Sequence, residues 1–374
     1  MACVSVWFRI KIFTESLLER GDAMPSKILY LMHVPWGWIE QRPHIFAKKL
    51  GEDYEVCVAC WRSLVRYLLR QDKLNPPAAL HPRSLWRLPS LLEGGVLSAL
   101  FTRHVRRKIS DIDEYECIWI TYPTMIDLIP EDYAGVIIYD CMDDHAAMVE
   151  ADKRREVILA EERLLKRADA VIVSSDYLKA VKGREDALTI RNGYKEGTVY
   201  PICPAEVKEK YVLGYFGTVD KWMDFDLLNK TVERFDNLSF KIIGPRVDGR
   251  GINHAVFTGP VCHEDLYDSI EECDCLIMPF VVNEVIKAVD PVKLYEYIAF
   301  GKCVVACWYP EIDRFSDYVY FYHSEDEFHR LMDELTNTGF PVKYSEKQRD
   351  EFLATNSWDE RYRSVVQLLK SVGV

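Results

Sequence analysis

Long apolar runs are missing from this sequence, since no stretch reaches the about 18 to 20 apolar residues that a membrane-spanning helix requires. The apolar stretch VSVWFRIKIF near the N-terminus also lacks the order of a signal peptide, in which a basic region precedes an apolar region and a small-residue cleavage site. These absences argue against a spanning helix and against secretion. We therefore expect a cytoplasmic protein, with a peripheral position on the inner face of a membrane as the alternative.

Basic residues are also fewer than acidic ones. The 374 residues contain 47 Lys and Arg against 59 Asp and Glu, which gives a net charge of −12. The sequence carries no zinc-finger, RNA-binding or helix-turn-helix signature. Nucleic acid is therefore not the expected partner. The length predicts about two domains, each large enough for a core of its own.

The cysteines lack the pattern of a disulfide framework or of a zinc site. They number 11, and many of them lie inside apolar runs. Cys57 and Cys60 form one C-x-x-C within the strand-like run EVCVACW, but no second pair follows at zinc spacing. Cys273 and Cys275 lie in the similar run ECDCLIMPF. We interpret all four as core cysteines of a protein in a reducing compartment.

The opening strand lacks the glycine pattern of a dinucleotide site. KILYLMHVP predicts a buried strand, and the turn PWGW leads into a helix with the sequence QRPHIFAKKL, without G-x-G-x-x-G between them. Gly37 would let the backbone approach a ligand, and Arg42 and His44 would lie near the carboxyl end of the strand, where α/β sheets bind ligands. These three residues are candidates for the acceptor side of a site. The alternative for His44 is a packed or capping residue.

The most informative stretch is DPVKLYEYIAFGKCVVA, residues 290–306. Pro291 at the start and Gly301 at the end predict a short helix, followed by the buried strand CVVAC. Lys293 and Glu296 lie three residues apart, on one face of that helix. The first-turn N–H groups with Lys293 suit a diphosphate, and Glu296 suits a ribose diol, so the pair fits a nucleotide sugar. The alternative is a surface ion pair worth a few tenths of a kcal/mol.

Three carboxylates end another predicted strand, GVIIYDCMDD: Asp140, Asp143 and Asp144. The carboxyl end of a strand is the right place for chemistry in an α/β sheet. A general base is one interpretation, and a magnesium site is a second. The third is that these side chains only cap the following helix.

One segment reverses the charge of the chain. Residues 61–108 contain ten Lys or Arg and two acids, a local charge of +8, with apolar residues between the arginines in RSLVRYLLR. This pattern is typical of a surface that faces an anionic membrane. A solvated helix face is the alternative.

In the second half, YVLGYFGTVDKWMDFDLL predicts a strand whose exit, at Gly217 and Thr218, would present backbone N–H groups to a phosphate. FKIIGP repeats the pattern of strand and glycine, with Gly244 at its end. The turn formers Asn192 and Gly193 indicate the boundary between two domains.

Two of these strings resemble known glycosyltransferases. Residues 291–305 resemble the donor-binding helix of GT-B glycosyltransferases (family 4-like), P-x-K-x-x-E-Y-x-A-x-G-K-x-V-V, at every position. WGWIEQRPHIFAKKL resembles the W-x-x-x-x-Q-R-P-x-x-x-A-x-x-L opening of exopolysaccharide and teichuronic-acid-type enzymes. The aspartate cluster is loosely similar to the catalytic loop of the xanthan glucuronosyltransferase, an inverting enzyme of this fold.

The resemblance implies an α/β protein with the GT-B fold, in which two doubly wound Rossmann-like domains enclose a cleft. After an N-terminal extension (residues 1–23), an acceptor domain would cover residues 24–193, joined by a C-terminal helix at residues 356–374. A donor domain would cover residues 194–355. The donor-binding residues implied are Gly217, Thr218, Gly244, Gly259, Val261, Lys293, Leu294 and Glu296. Neither a metal ion nor another cofactor is expected.

The function implied is transfer of a sugar from a UDP- or GDP-linked donor to a glycan or lipid-linked acceptor in polysaccharide assembly. Many retaining relatives carry E-x7-E, but Ala288 stands where the first glutamate would be. This difference favours inversion, with Asp143 or Asp144 as the base. A GT-B-like nucleotide-sugar epimerase and a non-catalytic sugar-binding protein are the alternatives.

Overall fold

The computed structural model describes residues 25–36, 40–63, 76–87, 103, 105–195 and 199–374. Within these residues, strands alternate with helices and form two separate sheets, one of seven and one of six strands. Every strand pairing in both sheets is parallel. Parallel sheets are covered by helices on both faces, which is why their strands are nearly continuous apolar runs.

The first sheet has the order β3-β2-β1-β4-β5-β6-β7. Its strands are β1 Lys27–Met32, β2 Glu55–Ser63, β3 Arg83–Arg87, β4 Cys117–Ile120, β5 Val136–Cys141, β6 Ala170–Val173 and β7 Leu188–Thr189. The α-helices between them are α1 Arg42–Asp53, α2 His145–Met148, α3 Ala151–Arg167 and α4 Asp176–Lys182. Short 3₁₀ helices span Ala78–Leu80, Ile112–Glu114 and Pro123–Leu128.

The second sheet has the order β10-β9-β8-β11-β12-β13. Its strands are β8 Tyr211–Phe216, β9 Leu238–Ile243, β10 Ala255–Gly259, β11 Cys275–Met278, β12 Cys303–Cys307 and β13 Tyr320–Tyr322. The helices are α5 Phe225–Arg234, α6 Leu266–Ile270, α7 Glu284–Lys287, α8 Val292–Ala299, α9 Glu325–Thr338, α10 Glu346–Thr355 and α11 Trp358–Ser371, with a 3₁₀ helix at Pro310–Phe315.

Each sheet has one point where the strand order reverses. In the first sheet β1 lies between β2 and β4, and in the second sheet β8 lies between β9 and β11. Loops that leave the carboxyl ends of such strands diverge and open a crevice, where doubly wound sheets bind ligands. Both crevices are therefore candidate binding sites.

The last helix returns to the first sheet. Trp358, Tyr362 and Leu369 of α11 belong to the same buried cluster as Phe46 of α1 and Ile28 of β1. The ring of Trp358 lies edge-on to that of Phe46, with 5.7 Å between the centroids. The apolar face of α11 thus stabilises the first sheet, although the second sheet precedes this helix in the chain.

The carboxyl ends of the two sheets face each other. Ser175, directly after β6, donates a hydrogen bond from Oγ to the carbonyl oxygen of Ala288, after β11, at 2.8 Å. The backbone N–H of Asp176 donates to Oε2 of Glu311 at 2.9 Å. These contacts fix the two halves around a cleft between the strand ends.

The predicted core cysteines are confirmed. Cys57 and Cys60 are 3% and 2% exposed and pack in different apolar clusters, one on each face of β2. Cys273 and Cys275 are buried in the second core. None of the helices within the described residues is long and apolar enough to cross a membrane.

Candidate active site

The predicted helix at residues 290–301 is confirmed. It begins at Val292, directly after Pro291, and ends at Ala299. Gly301 follows with a φ of +66°, in the left-handed region that favours glycine. A Cβ atom at this position would also come within 2.6 Å of the carbonyl oxygen of Pro201, so glycine is required here by both conformation and packing.

Lys293 in the first turn of α8 reaches across to the exit of β8. Its side chain lies over Gly217, where a Cβ atom would overlap its Cε atom. The ammonium lies 5.8 Å from the ring centroid of Tyr215 and 6.0 Å from that of Phe280. Among the described residues it has no hydrogen-bond or ion-pair partner. Burial lowers the pKa of Lys293, and the charge of Glu296 opposes this shift.

The ammonium of Lys293 therefore has no ion-pair partner among the residues that the structure describes. The free N–H groups at the start of α8 lie in the same turn, and helix N-termini favour anions. The position is at the carboxyl end of β8, in the crevice of the second sheet. The arrangement suits a phosphate or diphosphate.

Glu296 does not pair with Lys293. Its Oε1 atom instead lies 3.0 Å from Nε2 of His263, in the loop after β10. This hydrogen bond is the main cause that raises the pKa of His263. The surface ion pair that the sequence left open as an alternative is therefore not formed.

The glycines at the strand exits are packed against each other. Gly217 and Gly244 have φ values of +131° and +136°, and a Cβ on Gly244 would overlap the carbonyl group of Gly217. Their N–H groups already donate, Gly217 to Ile243 at 2.8 Å and Gly244 to Gly259 at 2.9 Å. This corrects the expectation that Gly217 offers its N–H to a phosphate. The N–H of Thr218 has no acceptor within the described part of the chain and can take that role.

The other predicted donor-binding residues differ in how accessible they are to a ligand. Leu294 is completely buried in the second core, so its side chain is not open to a ligand, which corrects its assignment to the donor site. Gly259 has a φ of +76° and open space where a Cβ would be. Val261 is 37% exposed. Gly259 ends β10, and Val261 lies in the following loop, which also carries His263.

A cavity of about 200 Å³ opens beside Glu296 and is called the nucleoside cavity below. It is lined by Tyr194, Lys195, Tyr200, His263, Glu264, Glu296, Ala299 and Phe300. The ring of Tyr200 stacks on that of Tyr267 with centroids 3.3 Å apart. His263 and Tyr200 were not among the predicted site residues. A polar residue two positions after Val261 was the available signal for His263, whereas nothing in the sequence marks Tyr200.

In the first domain, Arg42 and Asp140 form a buried ion pair. Nε of Arg42 donates to Oδ1 of Asp140 at 2.9 Å, and the two residues are 2% and 0% exposed. Nη1 of Arg42 also donates to the carbonyl oxygen of Ile190 at 2.7 Å. Arg42 thus ties β5 to the start of the connection between the domains, which corrects its assignment to the acceptor side.

His44 is buried as well, and the structure supports the capping alternative. Its Nδ1 atom accepts a hydrogen bond from the backbone N–H of Gln41 at 3.1 Å, the residue before α1. Burial is the main cause that lowers its pKa. Gly37 lies outside the described residues.

The structure distinguishes the two candidate bases. Asp144 lies 3.1 Å from Nζ of Lys182, which also contacts Glu161 at 2.9 Å. The carboxylate of Asp143 has no partner among the residues described. Burial raises the pKa of Asp143 to about 7, the Arg42 charge opposes this and the Asp144 charge adds to it. A half-buried carboxyl with a pKa near neutrality suits a general base.

Three rings lie together at the strand ends beside Asp143. His33 follows β1, Tyr122 follows β4 and His145 follows β5. The ring centroids of His33 and Tyr122 are 5.1 Å apart, those of His33 and His145 are 5.2 Å apart, and those of Tyr122 and His145 are 4.9 Å apart. His145 is 3% exposed, and its Nε2 atom has no hydrogen-bond partner in the described structure. These rings were not among the predicted site residues, although His33 lies near the end of the predicted strand KILYLMHVP and His145 directly follows GVIIYDCMDD.

The basic segment is described only in part. Residues 64–75, 88–102 and 104 lie outside the described residues, as does the predicted N-terminal extension, residues 1–23. Arg83 is bound to Asp111 and Tyr115. Arg103, Arg106, Arg107 and Lys108 are exposed, whereas Val105 and the following Ile109 are buried. In the part of the chain that the structure describes, no group of three His, Cys, Asp or Glu side chains is placed to hold a metal ion.

The chain is similar in sequence to a known protein. No family profile matches the chain. Its sequence is 28% identical over 290 residues to TuaH of Bacillus subtilis strain 168, which is assigned as a teichuronic acid biosynthesis glycosyltransferase; the match covers 69% of this chain and 72% of TuaH.

Two solved structures match nearly the whole chain. The structure of Anabaena Alr3699/HepE in complex with UDP and glucose has a TM-score of 0.65 and 15% identity, covering 92% of this chain and 100% of HepE. The apo lipopolysaccharide outer core galactosyltransferase WaaB has a TM-score of 0.64 and 12% identity, covering 92% and 99%.

The chain has the GT-B fold. The fold predicted from the sequence is confirmed. The predicted enzyme class, glycosyltransferase, is confirmed as well by the sequence similarity to TuaH, which is named as a glycosyltransferase.

Proposed function

We propose that this protein transfers a sugar from a UDP-linked donor to a glycan or lipid-linked acceptor during polysaccharide assembly. A uridine nucleotide is preferred over GDP because the HepE structure contains UDP. The donor binds to residues 194–355, and the acceptor binds to residues 24–193 with the returning helix at residues 356–374.

The observation that carries this proposal is the environment of Lys293. Its ammonium is half-buried, unpaired among the described residues and close to Gly217 at a strand exit. The leaving diphosphate gains negative charge as the bond to the sugar breaks, and a preorganised cation stabilises that charge most in the transition state. Lys293, the start of α8 and the N–H of Thr218 thus supply the stabilisation without a metal ion.

Asp143 is the base in this mechanism. Its carboxylate takes the proton of the acceptor hydroxyl as that oxygen forms a bond to the anomeric carbon. The bond between the anomeric carbon and the phosphate oxygen breaks, and UDP leaves with the electron pair. Attack on the face opposite UDP inverts the anomeric configuration. Asp143 has no partner within the described residues, which supports this role, whereas Lys182 neutralises Asp144.

The acceptor is lipid-linked in this proposal, and the enzyme works on an anionic membrane surface. The exposed cations at Arg103, Arg106, Arg107 and Lys108 support this idea, since basic residues near anionic lipids contribute about 1 kcal/mol each.

Nucleotide binding and product analysis test the proposal together. UDP is expected to raise the melting temperature of the protein more than GDP or ADP does. Incubation with UDP-sugars and lipid-linked acceptors is then expected to release UDP only when an acceptor is present. Conversion of the sugar nucleotide into an epimer without an acceptor would identify an epimerase instead. Binding without any turnover across a broad panel of acceptors would favour a non-catalytic sugar-binding protein.

A further inference from the structure

His263 and Glu296 come from different elements and meet at the edge of the nucleoside cavity. His263 lies in the loop after β10, and Glu296 lies in the second turn of α8. Their hydrogen bond of 3.0 Å joins Nε2 to Oε1, and the side chains of His263 and Glu296 are 49% and 16% exposed. The histidine is thus the more accessible partner, and the carboxylate lies behind it at the cavity wall.

The hydrogen bond leaves the carboxylate able to accept more bonds. An ionised carboxylate has about four lone-pair sites on its two oxygens. His263 uses one of them, and no other group within the described part of the chain donates a hydrogen bond to this carboxylate. The two hydroxyls of a ribose therefore still find acceptors on Glu296 while His263 stays bound.

A fixed carboxylate is also a more selective one. A glutamate side chain has three rotatable bonds, and ordering a long side chain costs up to about 2 kcal/mol of conformational entropy. The hydrogen bond to His263 already orders the Glu296 side chain, so nucleotide binding does not have to supply this entropy cost. A site that is preorganised to bond a hydroxyl discriminates strongly against an analogue that lacks it.

We propose that His263 is a positioning residue that holds Glu296 in the orientation that recognises the ribose diol, so that the site selects ribonucleotides over deoxyribonucleotides. This inference rests on the proposed function, because it assigns the nucleoside end of the donor to this cavity. His263 itself acts through Glu296 and touches neither the sugar that is transferred nor the diphosphate.

The surrounding charges are compatible with this role. The Glu296 carboxylate and the nearby Glu264 raise the pKa of His263, whereas burial and the Lys195 ammonium lower it. Glu296 has the largest effect, and the net shift is upward. The imidazole therefore stays cationic to a higher pH than a free histidine would, which strengthens its bond to the Glu296 carboxylate.

Calorimetric titration with UDP and 2′-deoxy-UDP tests the inference. The wild type is expected to bind UDP roughly tenfold more tightly than 2′-deoxy-UDP, the effect of one hydrogen bond. His263→Ala is expected to lose most of this preference by weakening UDP binding, while 2′-deoxy-UDP binding changes little. His263→Gln keeps an N–H donor and is expected to restore part of the preference. His323→Ala removes an exposed histidine elsewhere in the same domain and serves as the matched control.

The outcomes separate this inference from the proposed function. A wild type that binds no nucleoside diphosphate would overturn the proposed function and the inference with it. If the wild type binds UDP but His263→Ala weakens both ligands equally, the histidine contacts another part of the nucleotide and the inference is wrong. If His263→Ala binds both ligands more tightly, the histidine competes with the nucleotide for Glu296, which also overturns the inference. Circular dichroism of each variant verifies that it is folded.

Discussion

Lys293 packs so closely over Gly217 that any side chain at position 217 would displace it. Gly217 also has a φ of +131°, a conformation that other residues rarely adopt. The glycine therefore does more than shape a turn, since it leaves the space through which the lysine reaches the strand end. The two residues act as one unit of the candidate diphosphate site.

Lys293→Ala is expected to lower kcat by about 10²- to 10³-fold, the usual effect of removing one group that stabilises developing charge. UDP affinity should fall by a smaller factor, because the charge on the diphosphate grows towards the transition state. Steady-state kinetics and calorimetry measure the two effects separately. Lys230→Ala, which removes an exposed cation of the same domain, is the control. An unchanged kcat in Lys293→Ala would leave the lysine without a role in the reaction.

Glu296→Ala is expected to cost about 1.5 to 3 kcal/mol of nucleotide binding, roughly ten- to a hundredfold, if Glu296 accepts hydrogen bonds from the ribose. Calorimetry with UDP measures this loss. The same substitution should have a smaller effect on pyrophosphate binding, because pyrophosphate has no ribose. Unchanged UDP affinity in a folded variant would contradict the assignment.

The sequence was sufficient to predict the features that depend on residues close together in the chain. Pro291 and Gly301 delimit α8 through their own backbone preferences, and the apolar runs of β1 and β5 predict strands whatever they pack against. The crevice at the strand ends follows from the order of strands and helices. These features carry the fold and the place of the site.

Partners that approach from distant parts of the chain were beyond sequence reasoning. Lys293 and Glu296 have the spacing of an ion pair, yet Lys293 packs over Gly217 and Glu296 binds His263. Lys182 reaches Asp144 from α4, and no local pattern in the sequence indicates that it pairs with Asp144 and not with Asp143.

The same limit applies to Arg42. Its place near a strand end suggested a ligand contact, but Asp140 is the partner that the fold brings to it. The fold brings Arg42, at the start of α1, to Asp140 near the carboxyl end of β5.

Arg42→Ala is expected to lower the free energy of unfolding by about 3 to 5 kcal/mol, because it leaves the buried Asp140 carboxylate without its partner. Urea denaturation measures the change. Arg163→Ala is the matched control, because its ion pair with Asp127 is about half exposed and such pairs contribute about 0 to 1 kcal/mol. Equal stability of the two variants would show that the buried pair has no structural role.

Transfer activity is expected to depend on the ionisation of Asp143. A general base works only when deprotonated, and burial raises the pKa of Asp143 to about 7. The rate should therefore rise as the pH increases towards 7 and level off above it. Asp143→Asn should abolish transfer at every pH without weakening UDP binding, while Asp144→Asn should retain part of the activity. An NMR spectrum of the product with retained anomeric configuration would rule out this inverting mechanism.

Binding to anionic membranes is the last prediction, and it rests on the four exposed cations Arg103, Arg106, Arg107 and Lys108. In liposome flotation at low salt, the wild type should float with anionic vesicles but not with neutral ones, and salt should release it because screening weakens charge attraction. Neutralising all four residues should abolish flotation. The matched control neutralises Lys230, Arg234, Arg330 and Lys347, which are also exposed but lie on the second domain. If the wild type stays in solution with anionic vesicles at low salt, the basic residues form a solvated face and a soluble glycan becomes the better acceptor.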